Sequence, residues 1–371
     1  MSLEAILVCL CSVMAGSHSV GTTAWGPPDW HIPACVVSPP ADYPSAGPIP
    51  KAHYLSAEAA AAAGFPQHSV GVLENGLLFP LLYWPPREDL ENYSSILAPE
   101  HRESILAELN RLEAEGRIEK VSYKPWLLTP LGFVVKGAKK RIIFDATASG
   151  LNAACRVPSF QFPKHTELLR YVPRNGWMVK IDYQDGFFHL PIHPDHVPLL
   201  GFRHPFSGEF YVYRALPFGT SIGPYMFQGF AELSMKALPE SFGVRPKPYL
   251  DDTMTAALRK KIAARKKATL VTCMKALFWL VHPEKQEGPA QQLDFIGLGI
   301  DTVRLCLFIP ERKASKWGVL LNAALSEAPT WQEIATLIGK LSFLLPLWRE
   351  GGLHLRPLWY RLSSLERNPR L

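Results

Sequence analysis

This sequence predicts an α+β fold built around a small antiparallel sheet, on three observations. Short apolar runs, "WMVKI" from Trp177 to Ile181 and "FYVY" from Phe210 to Tyr213, read as strands. Segments with a helical apolar stripe are scattered among them without a repeated βαβ rhythm, which argues against a doubly wound sheet. "KPYLDDTMTAA", Lys247 to Ala257, reads as a hairpin with Asp251 and Asp252 at its bend.

In chain order, residues 1–50 read as a Pro-rich leader expected to be disordered, since "GPPDWHIPACVVSPPADYPSAGPIP" has neither strand nor helix period. Ala5 to Met14 has the length and apolarity of a signal-peptide core, but "MSLE" lacks a positive start, so an intracellular protein of cytoplasm or nucleus is expected. Residues 51–91 form an irregular extension in which Ala59 to Ala63 reads as helix. "APEHRESILAELNRLEAEGRIEKV" predicts a helix that starts at Pro99, aligns Ile105, Leu106, Leu109 and Leu112, and stops at Gly116. "PLGFVVKGAKKRIIFDA" predicts strands Phe133 to Val135 and Arg141 to Phe144, with Lys136, Lys139, Lys140 and Arg141 at the tip of their turn. The strand from Trp177 ends on Asp182 and runs into a turn or short helix, and an amphipathic helix follows Pro224. Beyond the hairpin comes a long helix whose solvated side carries Arg259, Lys260, Lys261, Arg265, Lys266 and Lys267. Thr330 and Glu333 form a capping box before a face of Ile334, Leu337, Ile338 and Leu341, in a helical segment over residues 304–371.

With 371 residues, 47% apolar and 19% charged, the chain has material for a sizeable core, which excludes a disordered protein. A net charge of +6 suits a polyanionic partner without requiring one. The six cysteines are scattered and contain no C-x-x-C pair, so neither a zinc knuckle nor a disulfide framework is indicated. No run after the leader reaches the ~18 apolar residues of a membrane span, and no membrane partner is expected.

Two aspartates side by side repel, and one must take up a proton or have its charge offset by a cation. Asp182, at the end of another strand, supplies a third carboxylate upstream in the pattern Asp-x-x-x-x-Phe-Phe. Such a set can chelate two Mg²⁺ ions, hard cations that prefer oxygen, with Mn²⁺ as a substitute. Ions about 4 Å apart can activate a hydroxyl and stabilise a leaving oxygen in phosphoryl transfer. His189, His193 and His196 in "HLPIHPDH" suggest zinc, but two prolines break the helix that such a site needs, and surface or turn histidines are expected. Asp185 is expected to be a structural hydrogen-bond acceptor.

Taken together and in order, these segments from about Asn92 to about Leu358 resemble the reverse transcriptases, RNA-directed DNA polymerases, most closely those of LTR and DIRS-type retrotransposons. "VKIDYQDGFFHLPIHPDH" is similar to the first catalytic motif, "ALPFGTSIGPYMFQ" to the nucleotide-binding loop and helix, and "YLDD" to the second catalytic motif. "LGFVVKGAKKRIIFDATASGLN" resembles the fingers hairpin, and "LVHPEKQEGPAQQLDFIGLGID" the lysine segment and primer grip. The resemblance implies a right-hand polymerase, with fingers and palm over residues 92–303 and a thumb-like helical part over 304–371.

It further implies that Asp182, Asp251 and Asp252 hold the metals, helped by the Tyr183 carbonyl, and that Lys285 donates a proton to the leaving pyrophosphate. Lys136 or Lys139, with Arg141, would hold the triphosphate of a dNTP, and Phe187 would be the steric gate against a ribose 2′-hydroxyl. Phe218 and Gly219 would lie against the nucleotide with Gln228 on the helix behind, while Ile296, Gly297 and Leu298 would grip the primer on an RNA or DNA template. The chain departs from the family pattern in its short fingers hairpin, in Gly186 beside the gate where alanine is usual, and in "DATASGLN", which lacks an arginine. No RNase H set of carboxylates is evident after Leu358, and the chain reads as a piece of a longer polyprotein or a truncated gene. The alternative readings are a catalytically silent, retroelement-derived nucleic-acid-binding protein, and an RNA-dependent RNA polymerase, against which Phe187 argues.

Overall fold

The strand Trp177–Asp182 has Met178, Val179 and Ile181 fully buried, so both of its faces are covered, as in the middle of a layered sheet. In the computed structural model, which describes residues 31–367 apart from 36, 138, 164–166, 168, 325–329 and 346–349, this strand centres a four-stranded antiparallel sheet. Asp252–Ala257 pairs with it along its whole length, with Asp252 opposite Asp182 and Ala257 opposite Trp177. Glu287–Ala290 lines its other edge with an irregular register, and Pro248–Tyr249 folds back on Asp252–Ala257 as the expected hairpin.

Helix Gly223–Lys236 is buried on nearly every side, which suits an element enclosed within the core. Helix Lys260–Ala276 packs on the central strands through Ala263, Leu270 and Met274. Its solvated side carries Arg259, Lys260, Lys261 and Arg265, whereas Lys266 and Lys267 are half-buried, Lys266 lying 4.8 Å from the Phe242 ring centre.

The fingers hairpin is longer than its sequence predicts, Leu131–Lys136 with Lys139–Phe144, because the pairing runs out to Lys136 opposite Lys139. Residue 138 in its turn lies outside the described residues. The helix expected from Pro99 opens as a 3-10 turn, Pro99–His101, and continues as Arg102–Ala114 with Ile105, Leu109 and Leu112 buried. Leu106 is only half-buried. A five-stranded sheet beside this helix includes two parallel pairings, Glu88–Asp89 with Leu127–Leu128 and Leu127–Leu128 with Gly201–Arg203, which no apolar run marked beforehand.

Thr330 and Glu333 make the expected capping box, with Thr330 N donating to Glu333 Oε2 at 2.8 Å and Glu333 N to Thr330 Oγ1 at 3.3 Å. Ile334, Leu337 and Ile338 form a small separate core with Leu362, and Leu341 packs at its edge. The leader departs from expectation where it is described. Residues 31–50 have no helix or strand, yet Tyr43 packs edge-on against Trp84 at 4.8 Å and Arg214 Nη2 donates to Gly47 O at 2.8 Å. Aromatic and backbone groups, not periodicity, lay this stretch on the core. Ala5 to Met14 lies outside the described residues. No described helix is long and apolar enough to cross a membrane.

Candidate active site

Antiparallel pairing brings the aspartates together. Asp182 is the last residue of its strand and Asp252 the first of the next, and the register sets them opposite each other. Asp251 sits in the hairpin turn, after Leu250 at φ +49°, and its carbonyl accepts from Tyr183 N at 2.9 Å. Gln228 holds the same turn from the helix behind, its Oε1 accepting from Leu250 N at 3.0 Å and its Nε2 donating to Pro248 O at 2.9 Å. Lys285 Nζ donates to Asp182 Oδ1 at 2.9 Å from a side chain that is 52% exposed.

The three carboxylates strain against one another. Burial, then the charges of Asp182 and Asp252, push the Asp251 carboxyl up to about 7, against the opposing pull of Lys285 and Arg141. Burial also raises Asp252, while Lys180 draws it back. Asp251 Oδ1 is buried without a hydrogen-bond partner, and it lies so close to Gly186 that a Cβ there would collide with it. The glycine that replaces the usual alanine therefore makes room for a carboxylate.

Among the described residues, no three carboxylate, imidazole or thiol side chains are gathered as a ready metal cage. The donor chemistry nonetheless fits a hard divalent cation, because all donors are carboxylate oxygens, their charges repel, and one buried oxygen lacks a partner. Lys285 makes its direct ion pair with Asp182, and its charge also bears on Asp251 and Asp252.

Phe187 and Phe218 meet. The Phe187 ring is buried and stacks on Phe218 with centres 4.6 Å apart, and Phe227 backs it at 5.4 Å. Gly219, at φ +111°, packs its backbone against the Phe144 carbonyl so closely that no side chain fits. Gln228 and the Tyr183 side chain are buried; Gln228 holds the hairpin, and the Tyr183 hydroxyl donates to Met274 Sδ at 3.1 Å. Arg141 is exposed on the fingers hairpin and bears electrostatically on Asp251, whereas Lys136 and Lys139 sit at the exposed tip with no described tie to the aspartates. Ile296 and Gly297, at φ +45° and +84°, form the tight turn of another hairpin, with Leu298 opening its second strand.

Two of the three histidines depart from expectation: His189 and His196 are buried, whereas His193 is half-exposed and caps the turn Pro194–Leu200 as expected. His189 Nε2 accepts from Leu280 N at 2.9 Å, so its Nδ1 carries the proton toward Gly186 O at 2.9 Å. His196 Nδ1 accepts from Phe79 N at 2.8 Å, and burial lowers both imidazoles to about 3 and keeps them neutral. Asp185 is the acceptor anticipated, taking both terminal nitrogens of Arg111 at 2.9 and 3.2 Å. Asn152 went unnoticed in the sequence: its Nδ2 donates to Gly219 O at 2.9 Å and its Oδ1 accepts from Ser221 N at 2.7 Å, which pins the loop carrying Phe218.

The fold is shared with solved viral protease-reverse transcriptases. A foamy viral protease-reverse transcriptase in complex with double-stranded DNA superposes with a TM-score of 0.60 at 19% identity, over 76% of this chain and 46% of that one. The same kind of protein in complex with an RNA/DNA hybrid gives 0.57 at 18% identity, over 76% and 39%. Residues 138–300 match the family described as reverse transcriptase (RNA-dependent DNA polymerase). Among curated relatives, the enzymatic polyprotein of Cestrum yellow leaf curling virus is 27% identical over 44% of this chain, and protein P of a duck hepatitis B virus is 21% identical over 61%. The chain spans only 25% and 27% of those two relatives' own length.

Proposed function

We propose that this protein, of retroelement origin, extends a primer 3′-hydroxyl with dNTPs on an RNA template and also on DNA. The observation that carries this reading is the meeting of Asp182, Asp251 and Asp252 at one strand end with Asp251 Oδ1 buried and unpartnered. Those carboxylates would hold two Mg²⁺ ions, or Mn²⁺, with the Tyr183 carbonyl as a further donor. Such ions, when bound, favour deprotonation of the attacking hydroxyl and stabilise the leaving oxygen.

The remaining steps belong to this chain's own side chains. Arg141, with Lys136 or Lys139, binds the triphosphate, the guanidinium through a fork matched to phosphate oxygens. Phe187, held between Phe218 and Phe227, fills the space of a 2′-hydroxyl and selects deoxyribose. Lys285, half in solvent and beside Asp182, holds a proton for the leaving pyrophosphate. Ile296, Gly297 and Leu298 bear on the primer strand. Solved neighbours named for complexes with double-stranded DNA and RNA/DNA hybrid support a template–primer partner. Primer extension on poly(rA)/oligo(dT) with dTTP and Mg²⁺ tests the proposal, with Asp251→Asn as control. Incorporation by the wild type alone is the expected result; equal signal in both proteins, or none in either, defeats it.

A further inference from the structure

The turn that carries Phe187 is held from outside by the fingers helix. Asp185 opens this turn in the left-handed backbone region, φ +56°, which costs a non-glycine residue energy unless its surroundings hold it there. Arg111, on the helix Arg102–Ala114, closes a bidentate pair on the Asp185 carboxylate. The same guanidinium takes Glu108 at 3.0 and 2.9 Å and Glu115 at 2.9 Å, so its five N–H donors are all engaged and it has no freedom to swing away. Arg117, fully buried just beyond this helix, donates to Phe188 O on the far side of the gate residue. Between these two anchors Phe188 N donates to Asp185 O at 2.9 Å and Leu190 N to Phe187 O at 3.1 Å.

We propose that Arg111 is a positioning residue for sugar selection: through Asp185 it fixes the backbone turn that aims Phe187, so the fingers helix sets how well the site refuses a ribose. Arg111 touches neither substrate nor metal in this role; it acts through the turn. A lysine there keeps the charge and loses the fork, which lets the turn rock and gives the 2′-hydroxyl room. The selection role rests on the polymerase reading above, whereas the clamp does not.

The test uses full-length R111K and R111Q, D185N as a second way to open the pair, and E108Q as a control that leaves the Arg111–Asp185 fork in place. Amide hydrogen exchange across Gly186 to Leu190 should quicken about tenfold or more in R111Q and D185N and stay within about twofold of wild type in E108Q. In primer extension, the ratio of kcat/KM for dTTP over UTP should fall about tenfold or more in R111K and D185N, with KM for dTTP rising more than kcat falls, and hold in E108Q. Unchanged exchange overturns the clamp. Faster exchange with an unchanged ratio overturns the selection role, as does an equal loss of ratio in E108Q. A wild type that incorporates neither nucleotide overturns the polymerase reading and the selection role with it, while exchange still reports the clamp, so the two failures separate.

Discussion

Asp185 and Asp251 stand within one residue's reach of each other, since Gly186 follows the first and lies against the second, yet their surroundings treat charge in opposite ways. Both belong to tight turns with a non-glycine residue at positive φ, Asp185 itself and Leu250. The Asp185 carboxylate is matched oxygen for nitrogen by Arg111. Asp251 is buried beside two more carboxylates and keeps one oxygen unpartnered. A chain that needed only a stable turn would satisfy both alike. The contrast separates a carboxylate whose charge is balanced by the fold from one whose charge the described side chains leave unmatched, in a repulsive cluster at one strand end of the sheet.

The strongest way to break this contrast is to exchange the two carboxylates for amides. Asp251→Asn should cut primer extension by at least about 10³-fold, about 4 kcal/mol of barrier, and in EDTA it should raise Tm because an unpaired buried charge is gone. Asp185→Asn should do the reverse to stability, lowering Tm by the loss of a bidentate pair worth about 1 kcal/mol or more. Thermal melts of both variants in EDTA decide the matter. A fall in Tm for Asp251→Asn as large as that for Asp185→Asn would mean that the two sites do not differ as described.

Acidity offers the next test. The Asp251 carboxyl titrates near 7 in the folded protein, above its ordinary value, so the folded state binds the extra proton. The stability tied to that proton is fully present below the ordinary carboxylate range and is lost as pH rises through about 7. In EDTA, Tm should therefore fall between about pH 5 and about pH 8, with a limiting slope of about 1.4 kcal/mol per pH step for one proton. Asp251→Asn should flatten this slope. A wild-type profile that rises over the same range would refute the assignment.

Gln228 supplies a smaller effect at the same turn. Gln228→Leu leaves Leu250 N and Pro248 O without their buried partners, and should cost about 2 kcal/mol in urea unfolding. It should also weaken Mg²⁺ binding, read by titration calorimetry, if hairpin geometry sets the aspartates. An unchanged affinity would show that strand pairing alone holds them.

What could be read from residues alone follows the range of the forces involved. The Asp-Asp hairpin, the strand ending at Asp182 and the Thr330–Glu333 box depend on neighbours a few positions away, so period and turn chemistry expose them. Arg111 meets Asp185 across 74 positions and Asn152 meets Gly219 across 67, and such pairs leave no periodic trace. The burial of His189 and His196 is not legible in the sequence, because the prolines beside them speak of local backbone, whereas their partners are amides at Leu280 and Phe79. Residues 31–50 lack any period and still lie on the core, since Tyr43 needs only a ring to pack against.

The capping box sharpens the same point at the low end of the scale. Helix Trp331–Ser342 takes its start from an exchange between Thr330 and Glu333, three residues apart and open to water. Replacing such a cap by alanine costs about 1 kcal/mol. Thr330→Ala should therefore lower Tm slightly, and it should leave both the EDTA pH slope of Asp251 and the dTTP-over-UTP ratio at wild-type values. Circular dichroism melts across pH, with extension assays on the same protein, check this. A changed pH slope would mean that the thumb-like helices bear on the acidic cluster, and the distinction between locally capped and remotely clamped elements would have to be redrawn.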